Sequence, residues 1–577
     1  MIKSKESKLR LEWLGRLYSS ALIAHEGESE RMRTNMNQYL GSDEIDGSTE
    51  RATIVRNITY ELIESEINAE IPLPKVDTGC YSERRDQNAR AVERLTSAVR
   101  SRLPFEELND RDERYTYILG ASVFYVEWDS TERSGAGEGG VRVHLLSPEG
   151  FIPQPGIENV QDMDYCFLRF VTTRGELVTK YGVGEEDLSS AECEYSSGQG
   201  DPMGDAVAIV VAFYRDEEGR VGKSVFSGDL MLLDLPNYYK RKSLVCKTCG
   251  KPVGECDCTE GEYDVQDLDR ERVTLPEGGE VEIEYYVPSD FPIIIRKNTI
   301  GEEGLLGGSD CERIRPQQQA INKVESRILQ KLLRAGVTPI MPEGTAIAPT
   351  NTIFGQVIKT RPGESISSFG TLDTTPEIKA DIEEADRLYD QAKRVLGISD
   401  ALQGLDTATS ESGYARQLKI ARSSSRLETK KRIKQLAYCR LYEMIFRHYL
   451  AFADEPHRFA FRDRLGRVQF TEFNRYDFIE RDKSGKYYYD DSYLFSVDTQ
   501  PETDYQSETL WEVNLTNLQR GTLGDPKDYN TLLRYWQLQD KASFPYAREN
   551  VEYFRNLIRQ NGENKTTESE TTNEKEG

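Results

Sequence analysis

Apolar residues recur at helical spacing near the start of the chain and again after Ser309. Two such stripes are Leu9, Trp13, Leu14 and Leu17, and Ile321, Val324, Ile328 and Leu332. Positions three and four apart lie on one face of a helix, so each stripe predicts a helix that buries that face. The longest pattern runs from about Tyr414 to Ala453, well beyond the roughly 12-residue average of globular helices.

The period changes to that of strands between these helical regions. Ser122–Trp128 is β-branched and aromatic, and Val141–Leu145 follows it after a loop, which predicts a hairpin. From Tyr165 to about Tyr286, short apolar runs alternate with Gly, Asp and Glu turns, and Phe459–Val497 again has strand-like aromatic residues. Helices and antiparallel strands in this order predict an α+β fold.

A helix, an irregular segment and a second helix precede the longest helix. Ser309–Glu312 has the spacing of a capping box, and the stripe that follows ends at Gly336. Val337–Thr375 is rich in Pro, Gly and Thr and contains one strand-like run. A second helix is predicted from about Glu377 to Leu396, followed by a loop of small and polar residues from Ile398 to Ser412.

The charge balance limits what the protein can bind. The 577 residues include 74 Lys and Arg against 99 Asp and Glu, a formal charge of −25. A surface this acidic does not wrap DNA by counterion release, so any contact with nucleic acid is expected to be local. No run reaches the roughly 18 apolar residues of a membrane span. No hydrophobic signal core follows Met1–Lys8, and we expect a soluble protein, made in the cytoplasm, that does not contact membranes.

Four of the nine cysteines crowd into one short segment: Cys246, Cys249, Cys256 and Cys258. Four thiolates at this spacing can complete the tetrahedral shell of one Zn²⁺, which predicts a structural site with no open position for water. Thiols without a metal and a redox pair are the alternatives. The basic residues Lys240–Lys242 precede the cluster and acidic residues follow it. We therefore interpret the cluster as a small metal-stabilised protrusion, the knob, that contacts protein, and not as a site that recognises nucleic acid.

The chain has no pattern that predicts catalysis. Gly219–Ser224 superficially resembles a phosphate loop, but its first two glycines are too close together and it lies between strands, so it predicts a hairpin turn. The sequence has no HExxH and no GxSxG motif. His448 on the longest helix is expected to be a packed or surface histidine. We therefore expect a protein that is not an enzyme.

The order of elements and the residues of several segments resemble those of the portal proteins of tailed bacteriophages. The segments are Thr407–Leu418, Arg315–Lys323, the helix Thr53–Asn68 running into Pro72-Leu73-Pro74, and Ile118–Trp128. The resemblance covers most of residues 30 to 455. The family pattern has no obligatory cysteine cluster, so Cys246–Cys258 is interpreted as an insertion.

This resemblance implies a head-to-tail connector: a homo-oligomeric ring of about twelve subunits at one capsid vertex of the virion, assembled in the host cytoplasm. The central channel would pass double-stranded DNA during genome packaging and ejection. The implied partners are the terminase large subunit, head-completion or tail adaptor proteins, and the major capsid or scaffolding protein. A net acidic protein suits such a channel, because each DNA phosphate that Lys or Arg neutralises strengthens the binding of DNA to the protein.

The resemblance also divides the chain into the regions of the portal fold, which has a wing, a two-helix stem, a clip, a tunnel loop, a long kinked helix and a C-terminal helical crown. The regions are residues 1–308, the first wing region with the cysteine insertion at about 240–262; 309–336, stem helix; 337–376, clip; 377–397, second stem helix; 398–412, tunnel loop; 413–455, long wing helix; 456–524, the second wing region; 525–560, crown-like helices; and 561–577, disordered tail.

Two sets of residues are placed near DNA by this division. The tunnel-loop candidates are Leu405, Asp406, Thr407, Thr409 and Ser410. The basic candidates on the long helix are Arg416, Lys419 and Arg422, with Arg426 and Lys430 further along it. These basic side chains either face DNA or pair with acidic neighbours across a subunit interface. A zinc-containing adaptor or scaffold protein without a DNA channel is the alternative function.

Overall fold

The computed structural model describes most of the chain. The described residues are 5–42, 55–79, 83–134, 137–184, 187, 191, 193–195, 205–246, 263–274, 278–299, 304–333, 337–340, 346–348, 357–359, 370–373, 376–398, 413–462, 468–498, 504–541, 544, 546–547, 549–551 and 553–558. The helices are α1 (Lys5–Leu40), α2 (Ile58–Glu64), α3 (Glu83–Arg102), α4 (Phe105–Leu119), α5 (Arg174–Tyr181), α6 (Asp310–Leu333), α7 (Lys379–Leu396), α8 (Gly413–Phe452), α9 (Asp504–Gln519) and α10 (Tyr529–Lys541).

The strands are mostly short and pair antiparallel. They are β1 (Leu73–Thr78), β2 (Ala121–Ser134), β3 (Gly137–Leu146), β4 (Phe151–Pro153), β5 (Tyr165–Thr173), β6 (Cys193–Tyr195), β7 (Ala206–Arg215), β8 (Val221–Ser227), β9 (Leu230–Leu235), β10 (Arg241–Cys246), β11 (Tyr263–Leu268), β12 (Arg270–Thr274), β13 (Glu280–Glu284), β14 (Ile293–Lys297), β15 (Val337–Ile340), β16 (Ala346–Ala348), β17 (Val357–Lys359), β18 (Gly370–Asp373), β19 (His457–Arg462), β20 (Val468–Phe473), β21 (Ile479–Arg481), β22 (Tyr487–Tyr489) and β23 (Tyr493–Asp498). Together with the helices they form a mixed fold of helix and strand, as predicted.

Two sheets form the centre of the fold. A three-stranded sheet has the order β14-β2-β3, and a six-stranded sheet has the order β4-β5-β7-β8-β9 with β6 paired to β7. Alternate residues of β2 point to opposite faces: Val123 and Tyr125 pack toward the six-stranded sheet, whereas Phe124 and Val126 pack against α3 and α8. Leu14 and Tyr18 of α1 cover the other face of the six-stranded sheet. The body therefore has four layers, with helices outside and sheets inside.

A helical hairpin leaves this body at Asp310. The helices α6 and α7 pack antiparallel, because Ile314 and Ile321 early in α6 contact Ala392 and Leu396 late in α7. Between the helices, β15 pairs with β18 and β16 pairs with β17, so the connection is two nested antiparallel pairs. The chain thus goes out along α6, through short strands, and back along α7.

Several sequence predictions are confirmed and a few are wrong. The hairpin of β2 and β3 is present, with Tyr125 opposite His144. The early helix is shorter than Thr53–Asn68: α2 begins at Ile58 because Asn57 accepts a hydrogen bond from the Tyr60 N–H, and it ends at Glu64. Gly219 lies in a turn between β7 and β8, as the hairpin prediction required. None of the described helices has the length and apolar character needed to cross a bilayer.

The helix α9 is absent from the sequence prediction. Leu510, Val513 and Leu515 are all close to half exposed, so the apolar residues of this helix do not mark one buried face. A helix whose apolar residues are spread around its surface gives no periodic signal. Gln539 of α10 donates a hydrogen bond to the Trp511 carbonyl of α9, so tertiary contacts accompany this helix.

Candidate functional site

The predicted zinc site lies at the end of a hairpin. Cys246 is the last residue of β10, is 1% exposed, and stands opposite Tyr263, the first residue of β11. The other three predicted ligands, Cys249, Cys256 and Cys258, lie outside the described residues. Because β10 and β11 pair, both ends of the intervening segment meet at one place, which suits four thiolates around one ion. Within the described part of the chain, no group of three His, Cys, Asp or Glu side chains could hold a metal, and the zinc prediction stays a prediction.

Two of the basic residues before the cysteine cluster, Lys240 and Arg241, form ion pairs within the chain. The Lys240 ammonium is 2.5 Å from an Asp269 carboxylate oxygen, and the Arg241 guanidinium is 2.7 Å from Asp454. Lys242 stands opposite Asp267 in the β10–β11 register. These partners neutralise much of the positive flank, in line with a knob that contacts protein.

The predicted DNA-proximal residues are only partly placed. The tunnel-loop candidates Leu405, Asp406, Thr407, Thr409 and Ser410 lie outside the described residues, between Ile398 and the start of α8. Arg416, Lys419 and Arg422 lie in the first half of α8, where the backbone is described and the side chains are not. Their contact with DNA stays a prediction.

Lys430, Lys431 and Lys434 form a row on α8 that binds carboxylates of the same chain. Lys431 is 3.3 Å from Glu70, and the Lys434 ammonium also donates to the Glu70 carbonyl at 2.7 Å. For Lys430, which the sequence predicts to face DNA or a neighbouring subunit, the partners are intramolecular. This row fixes α8 to the segment between α2 and β1.

Four of the most deeply buried charges in this region form what we call the balanced cluster: Arg296 of β14, Lys434 of α8, and Asp112 and Glu113 of α4. The Arg296 guanidinium is 2.5 Å from Asp112 and 2.7 Å from Glu113, and Lys434 is 3.0 Å from Glu113. Burial opposes the charge on Glu113, but Arg296 and Lys434 outweigh it and lower its pKa. Two positive and two negative groups thus neutralise each other inside the fold.

A second group, the carboxylate-rich cluster, lies one helical turn away and consists of Lys430, Glu66 and Asp310. The Lys430 ammonium is 2.8 Å from Glu66 and 2.6 Å from Asp310. Burial works against the charge on Lys430, but the two carboxylates outweigh it and raise its pKa. Asp310 is the first residue of α6, so this cluster is where α8 contacts the base of the helical hairpin.

The first turn of α6 is positioned by backbone contacts as well. The Ser309 hydroxyl accepts a hydrogen bond from the Cys311 N–H at 3.0 Å and donates to the Ile118 carbonyl at 2.5 Å. Gly120 has a φ of 95°, and a Cβ at this position would lie 2.1 Å from the Gly307 carbonyl oxygen. Only glycine permits this close approach, which seats α6 on the end of α4.

The exposed surface of the hairpin carries charges of both signs, since Lys379, Arg387 and Arg394 of α7 are exposed together with several carboxylates. Glu383, Asp386 and Asp390 lie on the exposed side of α7. On the inner side, Arg327 and Lys331 of α6 bind Asp381, and the hydrogen bond from Lys331 lowers the pKa of that carboxyl. Arg327 and Lys331 therefore link the two helices of the hairpin through one carboxylate.

A buried lysine also links the two sheets, without an obvious reactive partner among the described residues. Lys223 of β8 donates to the Tyr125 hydroxyl at 2.8 Å and to Glu127 at 2.6 Å, and its ammonium is 5.1 Å from the centre of the Tyr238 ring. His448 is fully buried, its Nδ1 is 2.8 Å from the Met444 carbonyl oxygen, and burial lowers its pKa to about 4. It is a packed histidine, as predicted.

The two charge clusters do not follow from the sequence, although one signal is present. Arg296 interrupts the apolar run Ile293–Ile295 of a strand, and a charge in a buried strand requires a partner. Its partners lie more than 100 positions away along the chain, so the pattern alone does not identify them.

Comparisons with known proteins add no relative to this picture. No protein-family model matches the chain, and a search of curated proteins found no match. The functional argument therefore rests on the molecule itself.

Proposed function

We propose that this protein is the portal protein of a tailed bacteriophage. It would form a ring of about twelve copies at one capsid vertex of the virion. The ring would conduct double-stranded DNA during packaging and ejection. It would also dock the terminase on assembly and head-completion or tail adaptor proteins afterwards.

The observation that carries this proposal is the hairpin that leaves the body at Asp310. Its two antiparallel helices, α6 and α7, are joined by nested strand pairs, and the next helix, α8, returns into the core. This order of elements is the one that the resemblance implies for stem, clip, stem and long wing helix. Residues 399–412 then join the end of α7 to the start of α8, in the sequence position proposed for the tunnel loop.

The charge distribution supports a conduit in preference to a DNA-binding surface. The chain carries a formal charge of −25, and the described lysines of α8 are neutralised by carboxylates of the same chain. A polyanion can slide past such a surface because few phosphates are neutralised.

The assembly state tests the proposal directly. We expect light scattering on the purified full chain to give a particle of roughly 790 kDa, twelve copies of a 65.8-kDa chain. Negative-stain images of the same fraction should show a central hole. A compact dimer without a channel would contradict the portal proposal and favour the zinc-containing adaptor or scaffold.

We also propose that Cys246, Cys249, Cys256 and Cys258 hold one structural Zn²⁺ in a peripheral knob. Elemental analysis should find about one zinc per chain, and Cys249→Ser should remove it while Cys439→Ser, on α8, should not. Hydrogen exchange should then increase only around residues 240–262. Increased exchange in α6 and α7 would show that the knob is integral to the core.

A further inference from the structure

The carboxylate-rich cluster has one more negative group than positive groups. Glu66 and Asp310 are 5% and 1% exposed, and both contact the single ammonium of Lys430. One oxygen of each carboxylate, Glu66 Oε1 and Asp310 Oδ1, has no hydrogen-bond partner among the described residues. An unpaired buried charge is costly, and two carboxylates that share a site do not both ionise readily.

Among the described side chains, the surrounding elements supply no second cation to this cluster. From α4, the Tyr117 ring lies 4.7 Å from the Lys430 ammonium. From α6, burial keeps the Cys311 thiol neutral by raising its pKa. Arg296 of β14 and Lys434 of α8 are engaged by Asp112 and Glu113 in the balanced cluster. Lys431 is engaged by Glu70.

We propose that Glu66 holds a proton beside Lys430 and the Asp310 carboxylate, which makes this cluster a proton-operated joint between α8 and the first turn of α6. With the proton bound, the cluster is neutral and the joint is closed. When the proton leaves, a negative charge is stranded in the interior and the joint loosens. This inference does not rest on the proposed function.

The titration of Glu66 gives the direction of the effect. Burial first and the Asp310 carboxylate second raise its pKa from 4.5 to about 8, and Lys430 opposes the rise. Because the pKa is higher in the closed joint than in the open one, closure is fully favoured below about pH 4.5 and is weakened as pH rises toward 8. The closed-to-open ratio should fall by up to about tenfold per pH unit over this window and level off above it.

Hydrogen exchange of the full-length protein tests the joint. Protection factors for residues 310–315, corrected for intrinsic exchange, would be measured from pH 6 to pH 9. We expect them to fall by up to about tenfold per unit up to pH 8. Glu66→Gln and Asp310→Asn each leave one carboxylate for Lys430, so both variants should have flat profiles.

A matched control separates this effect from general loosening of α6. Glu325→Gln neutralises a half-buried carboxylate on the same helix that pairs with Arg56, and it should keep the wild-type slope. A flat wild-type profile would overturn the proposal. So would an unchanged slope in Glu66→Gln, and Asp310→Asn provides the same test from the other carboxylate if Glu66→Gln does not fold.

Discussion

The balanced cluster and the carboxylate-rich cluster use the same helix, the same depth of burial and the same kinds of side chain. Lys434 and Lys430 are one turn apart on α8, and each contacts carboxylates from neighbouring elements. The clusters differ in one respect, since Arg296 adds a second positive charge to the first of them. The Arg296 guanidinium therefore makes the number of cations equal to the number of carboxylates in the balanced cluster, whereas the carboxylate-rich cluster has one carboxylate more than it has cations.

Removing the Arg296 guanidinium should have the largest effect on the stability of the fold. Arg296→Met leaves Asp112 and Glu113 with Lys434 alone, which is the composition of the carboxylate-rich cluster. We expect a loss of about 3–5 kcal/mol in the free energy of unfolding, measured with denaturant near neutral pH. The variant should also gain a new pH dependence: its stability should fall as pH rises above about 4, because the stranded carboxylate holds a proton only in the folded state.

The control for this prediction is Arg142→Met on β3, a strand of the same sheet. Arg142 is half exposed and lies 2.9 Å from Asp129, so its loss should cost less than about 1 kcal/mol. Equal losses in the two variants would show that Arg296 stabilises the fold by packing and not by charge balance.

Lys430→Met tests the carboxylate-rich cluster by removing its ammonium group. Glu66 already holds a proton near neutral pH, so the variant strands only one carboxylate, and we expect a loss of about 1–3 kcal/mol at pH 7. The loss should grow as pH rises, and chemical denaturation at pH 6, 7 and 8 would measure it. A loss independent of pH would argue against a proton on Glu66.

Ser309→Ala tests whether the backbone or the charges hold the first turn of α6. The variant removes the cap that accepts from the Cys311 N–H, and we expect a cost of about 1 kcal/mol. Because this hydroxyl does not titrate near neutral pH, the cost should be the same at pH 6 and pH 8, in a denaturant series. A cost that changed with pH would link the cap to the carboxylate-rich cluster.

The sequence predicted the elements far better than their connections. Hydrophobic period is local, so the hairpin of β2 and β3 and the bounds of α7 and α8 followed from it. The same rule fails at α9, whose own apolar residues are half exposed and do not mark one buried face. The clusters escaped prediction because Glu66, Asp310 and Lys430 come from distant regions of the chain, and only packing brings them together.

The length of α8 has a mechanical consequence. At about 1.5 Å of rise per residue, the stretch from Lys430 back to Gly413 is roughly 26 Å long. A tilt of about 5° at Lys430 would therefore move Gly413 by about 2 Å. The first half of α8 therefore amplifies a small tilt at the row of Lys430, Lys431 and Lys434, so that it becomes a displacement of atomic size where the helix begins.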